Sequence, residues 1–328
     1  MTEITRRGAL TGTLTAGAAL AAAPLAATST AQAAAPAAGK AGSAFYRHKI
    51  GDIEVTQLSD GTASFPLADT FVRNVPKDQV EKALAASYLP TDKMTVFFNP
   101  MMLNTGGKLV LIDTGNAPNP NGPVGLTQSN MIASGVDPKN IDLVVISHFH
   151  GDHIAGLRNA DGSLAYPNAE VKVPAAEWAF WMSDENMNKA PDAMKGAFQL
   201  VRKVFGDMGS RLTQYEMDKE VAPGLTPFAT LGHTPGHTSF ALQSGKDRLL
   251  IQSDVTNNPA LFVRNPGWHV MYDMNPQQAE ETRRRFFDRA SADRTLIAGF
   301  HYPFPCLGYV EKEDTGFRLV PAPWKTSI

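Results

Sequence analysis

The stretch Ser147-His148-Phe149-His150-Gly151-Asp152-His153 closes the apolar run Ile141-Asp142-Leu143-Val144-Val145-Ile146, and it packs three imidazoles and a carboxylate into six positions. Imidazolium groups that close repel one another, and the end of an apolar strand solvates charge poorly. The stretch is tenable if something holds neutral imidazole and ionised carboxylate together, and these are the forms in which His and Asp bind metal. On an extended segment, side chains two apart point the same way, so His148 and His150 aim at one point beyond the strand. Gly151 lets the chain turn sharply. Asp152 and His153 then stand near the start of a helix predicted from His153 to Leu157, and they face a second point close by. One short segment thus offers ligands to two neighbouring cations.

The rest of the chain, which has eight histidines, holds candidate partners. His237 lies in the Gly/Pro turn Gly232-His233-Thr234-Pro235-Gly236-His237-Thr238. Asp254 directly follows a strand predicted from Leu249 to Ser253, and His301 follows one from Thr295 to Phe300. Strand ends and tight loops are where α/β proteins gather functional groups. His233 reads as a structural residue of its turn, and His48 and His269, with no motif around them, read as surface or packing residues. A single cysteine, Cys306, excludes an intrachain disulfide and a cysteine-cluster zinc site. It reads as a small buried apolar residue rather than a catalytic thiol. Nitrogen and carboxylate ligands without thiolate suit zinc first, and also manganese, cobalt or iron.

With 328 residues, 43% of them hydrophobic, the chain can bury a substantial core, and a net charge of -2 gives no sign of nucleic-acid or anionic-membrane partners. Arg6-Arg7 precede a mildly apolar stretch from Leu10 to Ala27, and Ala31-Gln32-Ala33 follows as a small-x-small cleavage pattern. Residues 1–33 therefore read as a twin-arginine-type signal peptide, which sends the mature protein to the periplasm or the medium. The competing reading, a transmembrane anchor, is weakened by Gly12, Gly17 and Pro24. Residues 34–42 read as a flexible linker. Beyond it, strands are predicted over 52–58, 108–112, 141–146, 171–173, 248–251 and 294–298. Helices are predicted over 78–87, 127–134, 175–182, 193–205 and 277–290, the last begun by Asn275-Pro276. Their interleaving predicts a layered α/β domain over 43–328.

The pattern His148-x-His150-x-Asp152-His153, with later His237, Asp254 and His301 and with Asp113 in Leu111-Ile112-Asp113-Thr114-Gly115, resembles the metallo-β-lactamase superfamily. Leu58-Ser59-Asp60-Gly61-Thr62, Asn104 to Gly115, Phe180 to Ser183, Asn188 to Asp192 and Gly232 to Thr238 resemble its methyl parathion hydrolases and related lactonases and arylesterases. The resemblance implies a four-layer αββα sandwich with two divalent metals at one edge. His148, His150 and His237 would bind one metal, and Asp152, His153 and His301 the other, with Asp254 bridging. It also implies a homodimer and a hydroxide nucleophile shared by the metals. Asp152 and Asp113 complete the catalytic set: Asp152 would hold the hydroxide, and Asp113 would fix a ligand histidine, a role compatible with that of a turn residue. Aspartate at 254, where some β-lactamases have cysteine, is the pattern of lactonases, glyoxalase II enzymes and phosphotriesterases. The loop Asn119-Pro120-Asn121-Gly122 has no aromatic, which argues against efficient organophosphate turnover.

Trp178, Trp181 and Met182 fall at i, i+3, i+4 spacing, which fits either a helix packed on the core or an apolar wall above the metals. The resemblance points to Trp181 and Phe198 as pocket aromatics, while the segment from Asp69 to Val75 would cover the site from the other side with Phe71, Val72 and Arg73. An aromatic pocket favours a neutral small-molecule substrate. The expected activity is hydrolysis of lactones or aryl esters, with phosphotriesterase activity as a side reaction. The alternatives are a β-lactamase, a glyoxalase II-like thioesterase, or a non-hydrolytic metal-binding or iron redox protein.

Overall fold

Strands that read as unbroken apolar runs need cover on both faces, and the fold supplies it. The computed structural model describes residue 42 and residues 44–328. The signal peptide predicted over 1–33 and the linker over 34–42, save Gly42, lie outside the described residues. In chain order come β1 (Phe45–Ile50), β2 (Ile53–Leu58), β3 (Gly61–Pro66), α1 (Lys77–Ala86), β4 (Lys93–Phe98), β5 (Met101–Asn104), β6 (Leu109–Ile112), α2 (Thr127–Ala133), β7 (Leu143–Val145) and α3 (Gly151–Ile154). There follow β8 (Glu170–Pro174), α4 (Ala175–Trp181), α5 (Asp184–Lys189), α6 (Asp192–Phe205), β9 (Leu212–Tyr215), β10 (Leu225–Ala229), β11 (Thr238–Ser244) and β12 (Asp247–Ile251). The chain ends with α7 (Pro276–Ala292), β13 (Leu296–Ala298), β14 (Leu307–Glu313) and β15 (Gly316–Pro321).

A seven-stranded sheet runs β1-β2-β5-β6-β7-β8-β9, a six-stranded sheet runs β10 to β15 in sequence, and β3 pairs with β4 as a separate ribbon. Strands β6 to β9 are parallel, as are β12 and β13, which α7 joins as a crossover. Alternate residues of one strand serve opposite faces. Val110, Leu143 and Val145 of the first sheet meet Leu225, Phe240, Leu249 and Ile251 of the second in a core between the sheets. Leu111, Val144 and Val171 face outward onto Trp181, Phe198 and Phe205. Leu250 and Ile297 face outward onto Phe286 and Phe287 of α7. The result is a four-layer αββα sandwich. Asn275 caps α7 by accepting from the Gln278 amide, with Pro276 as first helical residue.

Register then places the site. Ile112 pairs with Val145, so Asp113 and Ser147 emerge side by side where β6 and β7 end. Ile251 pairs with Ala298, so Asp254 and His301 each follow three residues beyond a paired position at the same edge. Among the described residues, no helix is long and apolar enough to cross a membrane.

Candidate metal centre

His148 and His150 meet as their spacing requires: His148 Nε2 lies 3.1 Å from His150 Nδ1. The turn after them is built differently from expectation. Gly151 is the first residue of α3 and is absent from the positive-φ glycines. Its small size matters instead, because Leu200 Cδ2 lies 3.1 Å from where a Cβ would stand. His153 on α3 is buried, with Nδ1 2.8 Å from Asp113 Oδ2. Asp113 also accepts from the Ser147 amide at 2.8 Å and the Ser147 hydroxyl at 2.7 Å. It therefore holds a histidine and the start of the ligand loop from behind, as a positioning residue. Its φ of 57° is the left-handed conformation that Asp tolerates better than most residues.

From the other sheet, His301 Nε2 reaches Asp254 Oδ2 at 2.9 Å and Asp152 Oδ2 at 3.5 Å, while its Nδ1 donates to the Phe97 carbonyl at 2.7 Å. His153 Nε2 lies 3.3 Å from Asp254 Oδ1 and 3.7 Å from Asp152 Oδ2. The turn after β10 supplies a further histidine, His233, expected to be structural in its turn. His233 Nε2 stands 2.9 Å from His150 Nδ1 and 3.3 Å from Asp254 Oδ2. Two donor groups result, His148, His150, His233 and Asp254 in one and Asp152, His153 and His301 in the other, with donor atoms within 4.8 Å of one another in each.

His237, expected as a ligand, is a strut. Its Nδ1 lies 2.9 Å from the Thr230 carbonyl, and its Nε2 accepts from the Asp254 amide at 3.0 Å. Both nitrogens are engaged, and burial, with His233 adding to it, holds the ring down to a pKa of about 3. The difference between the two histidines comes from Asp273. Asp273 takes His233 Nδ1–H at 2.9 Å and is anchored in turn by the buried Arg283 at 3.0 Å. That leaves the His233 Nε2 lone pair directed at the cluster, the arrangement by which a carboxylate fixes a metal-binding histidine.

The polar atoms left over fit divalent cations. His153 Nε2 and Asp254 Oδ1 are buried and have no hydrogen-bond partner among the described residues. Burial, reinforced by His153, pushes His148 well below the ordinary histidine value, and burial with His233 does the same to His150. Burial opposes protonation of His153, His233 and His301 too, yet neighbouring carboxylates outweigh it and raise all three, His233 to about 9. Asp254 is held well below the ordinary carboxylate value, since His301 and His153 outweigh its burial. These His and Asp groups suit a dinuclear metal site.

Above the cluster opens a cavity of about 890 Å³, with His150, Asp152, His233, Asp254 and His301 among its lining. Phe65, Phe98, Trp181, Leu200, Met271 and Tyr272 contribute to its walls. Trp181 and Arg73 thus stand where the sequence reading put them, though Arg73 spends its guanidinium on the Met271 and Asp273 carbonyls. Two expected wall residues are displaced. Phe198 is fully buried behind Trp181, ring centroids 4.7 Å apart, because it faces the sheet from α6. Phe71 is fully buried among Leu84, Met94 and Phe262, and meets the site from behind its walls, through Phe65 and the edge of Tyr272, with ring centroids 6.2 and 6.1 Å away. Trp178 packs on Phe205 at 6.0 Å, as a core helix would.

A family model described as the metallo-beta-lactamase superfamily matches residues 97–301, the span from β4 to His301. The chain belongs to the metallo-β-lactamase superfamily. Within it, the chain is similar to the anti-Pycsar protein Apyc1 of Paenibacillus sp. (strain J14), 29% identical over 174 residues that cover 51% of this chain and 64% of that protein. An N-acyl homoserine lactonase of Bacillus sp. is 28% identical over 112 residues, 34% of this chain and 37% of the lactonase. The chain spans less than two thirds of the length of these curated relatives. Among solved structures, hydrolase AbOPH of the beta lactamase superfamily superimposes with a TM-score of 0.81 at 27% identity, over 87% of this chain and 100% of that one. AidC, a dizinc quorum-quenching lactonase, superimposes with a TM-score of 0.81 at 22% identity, over 86% and 99%, and shares the fold.

Proposed function

We propose that this metallo-β-lactamase superfamily protein is a binuclear metal-dependent hydrolase of lactones or aryl esters, with zinc as its metal. The carrying observation is the pair of donor groups at the floor of a cavity with apolar walls. His148, His150 and His233 would hold one ion, Asp152, His153 and His301 the other, and Asp254, which reaches both groups, would link them. Such a pair, when bound, supplies Lewis-acid activation of water at neutral pH and of the substrate's carbonyl oxygen.

The residues of the chain do the rest. Asp152 is half-buried at the cavity floor and so can both orient the attacking water and take up its proton. Burial, with the charge of Asp152 adding to it, raises the Tyr272 phenol above its ordinary value. Tyr272 therefore stays protonated at neutral pH and can donate a hydrogen bond to a substrate oxygen in the cavity. Phe65, Phe98, Trp181 and Leu200 exclude water from around the ester and favour an uncharged acyl or aryl group. The likeness to an N-acyl homoserine lactonase and to a hydrolase with the same fold supports this reading. Zinc-loaded protein is expected to hydrolyse dihydrocoumarin, an acyl-homoserine lactone or a p-nitrophenyl ester. If none of these is turned over faster than by His150→Ala, the ester reading fails.

A further inference from the structure

We infer that Glu177 is a positioning residue that sets the ion held by His148, His150 and His233 and spares the other. Glu177 lies on the first turn of α4, is fully buried, and has no ion-pair partner among the described residues. Its carboxylate instead gathers three N–H donors from three places. Oε2 accepts from the Phe149 amide at 3.0 Å and from Trp181 Nε1 at 2.8 Å. Oε1 accepts from the Gly236 amide at 2.6 Å.

Phe149 is the residue between His148 and His150, and Gly236 is in the turn that presents His233. A single carboxylate therefore ties together the two loops that carry all three histidines of one donor group. It also ties them to Trp181, which walls the cavity. The second donor group, on α3 and after β13, receives no bond from it. The geometry is tight independently of those bonds. A Cβ on Gly236 would stand 2.4 Å from the Glu177 amide nitrogen and 2.9 Å from the Ala176 carbonyl carbon, so the turn is seated directly on the backbone of α4. Three donors on two oxygens demand a group that only accepts. Glutamine has the same shape, but in either orientation its NH2 must face at least one N–H donor, and the loop bearing that donor has to shift. Misplaced supports of a metal ligand typically cost about 10- to 100-fold in metal affinity.

The inference rests on the dinuclear reading of the site and not on the ester substrate. Purified full-length protein and Glu177→Gln are loaded with zinc and titrated with a colorimetric chelator at a temperature where both stay folded by circular dichroism. The wild type is expected to give up two zinc ions per chain. In Glu177→Gln one ion is expected to leave at an affinity about 10- to 100-fold lower, while the other keeps its wild-type affinity. Should Glu177→Gln fail to fold, Glu177→Asp, which keeps the acceptor chemistry on a shorter arm, is expected to weaken one ion selectively. Two ions held with wild-type affinity in the variant overturn the inference and leave the dinuclear reading intact. So does an equal weakening of both ions, which a merely structural role would give. A wild type that takes up no zinc overturns both.

Discussion

At the scale of single residues, the centre depends on which lone pairs face inward. His233 and His237 share one turn, four positions apart, and nothing in that spacing tells a ligand from a strut. What tells them apart is distant in sequence. Asp273 claims the His233 Nδ1–H, and the Asp254 amide claims the His237 Nε2 lone pair. His233→Ala is therefore expected to lose one ion per chain by metal analysis while keeping the fold. His237→Ala removes the bond to the Asp254 amide and the bond to the Thr230 carbonyl, both in a buried place. It is expected to lower stability by about 1–3 kcal/mol in the metal-free protein as well as in the loaded one. Equal metal loss and equal destabilisation in the two variants would contradict the distinction.

At the scale of elements, α6 shows why one face of a helix was misassigned. Phe198 and Leu200 are two positions apart and so lie on different faces. Phe198 points to the sheet and is fully buried behind Trp181, whereas Leu200 is half-buried and lines the cavity. Phe198→Ala is expected to destabilise by about 3–5 kcal/mol with unaltered KM in whatever enzyme remains folded. Leu200→Ala is expected to cost about 1 kcal/mol and to raise KM for an ester with an apolar acyl group about fivefold. Urea unfolding and steady-state kinetics on the pair check the assignment, and a KM effect confined to Phe198→Ala would reverse it. The elements that were legible are those carrying strong patterns. Apolar runs such as Leu109–Ile112 and Leu143–Val145 announce strands covered on both faces, and the residues that end them bring Asp113 and the His148–His153 segment to one edge. The ribbon of β3 and β4 was not legible. β3 reads Gly-Thr-Ala-Ser-Phe-Pro, with no residue fully buried, so neither face imposes a period. Tyr272, Asp273 and Glu177 were missed for a related reason: each acts through contacts made only after folding, and no local spacing marks them.

At the scale of the whole molecule, two sheets are held at their common edge by groups that cannot satisfy one another unaided. His148, His150 and His153 come from the first sheet, Asp254 and His301 from the second, and His153 Nε2 and Asp254 Oδ1 face each other without a hydrogen bond. Divalent cations would join the sheets there, so chelation should be a global event and not a local one. A ligand at about 1,000 times its Kd stabilises by about 4 kcal/mol, and for a chain of this size each kcal/mol moves Tm by about 2–4 °C. Chelated protein is therefore expected to melt about 10 °C or more below the zinc-loaded form and to recover on adding zinc. The sign of the pH dependence follows from the same cluster. In the metal-free protein, carboxylates outweigh burial and hold His153, His301 and His233 above the ordinary value of 6.5, His233 at about 9. At pH 7 His233, and with it His153, carries a proton that an incoming cation must displace. Zinc binding at pH 7 is thus expected to release protons into a weakly buffered indicator solution. Zinc affinity should weaken as pH falls and strengthen as pH rises toward about 9. Calorimetric titrations at pH 6 and pH 8 that gave the same affinity would mean that these rings are already neutral and that protons do not compete for the site.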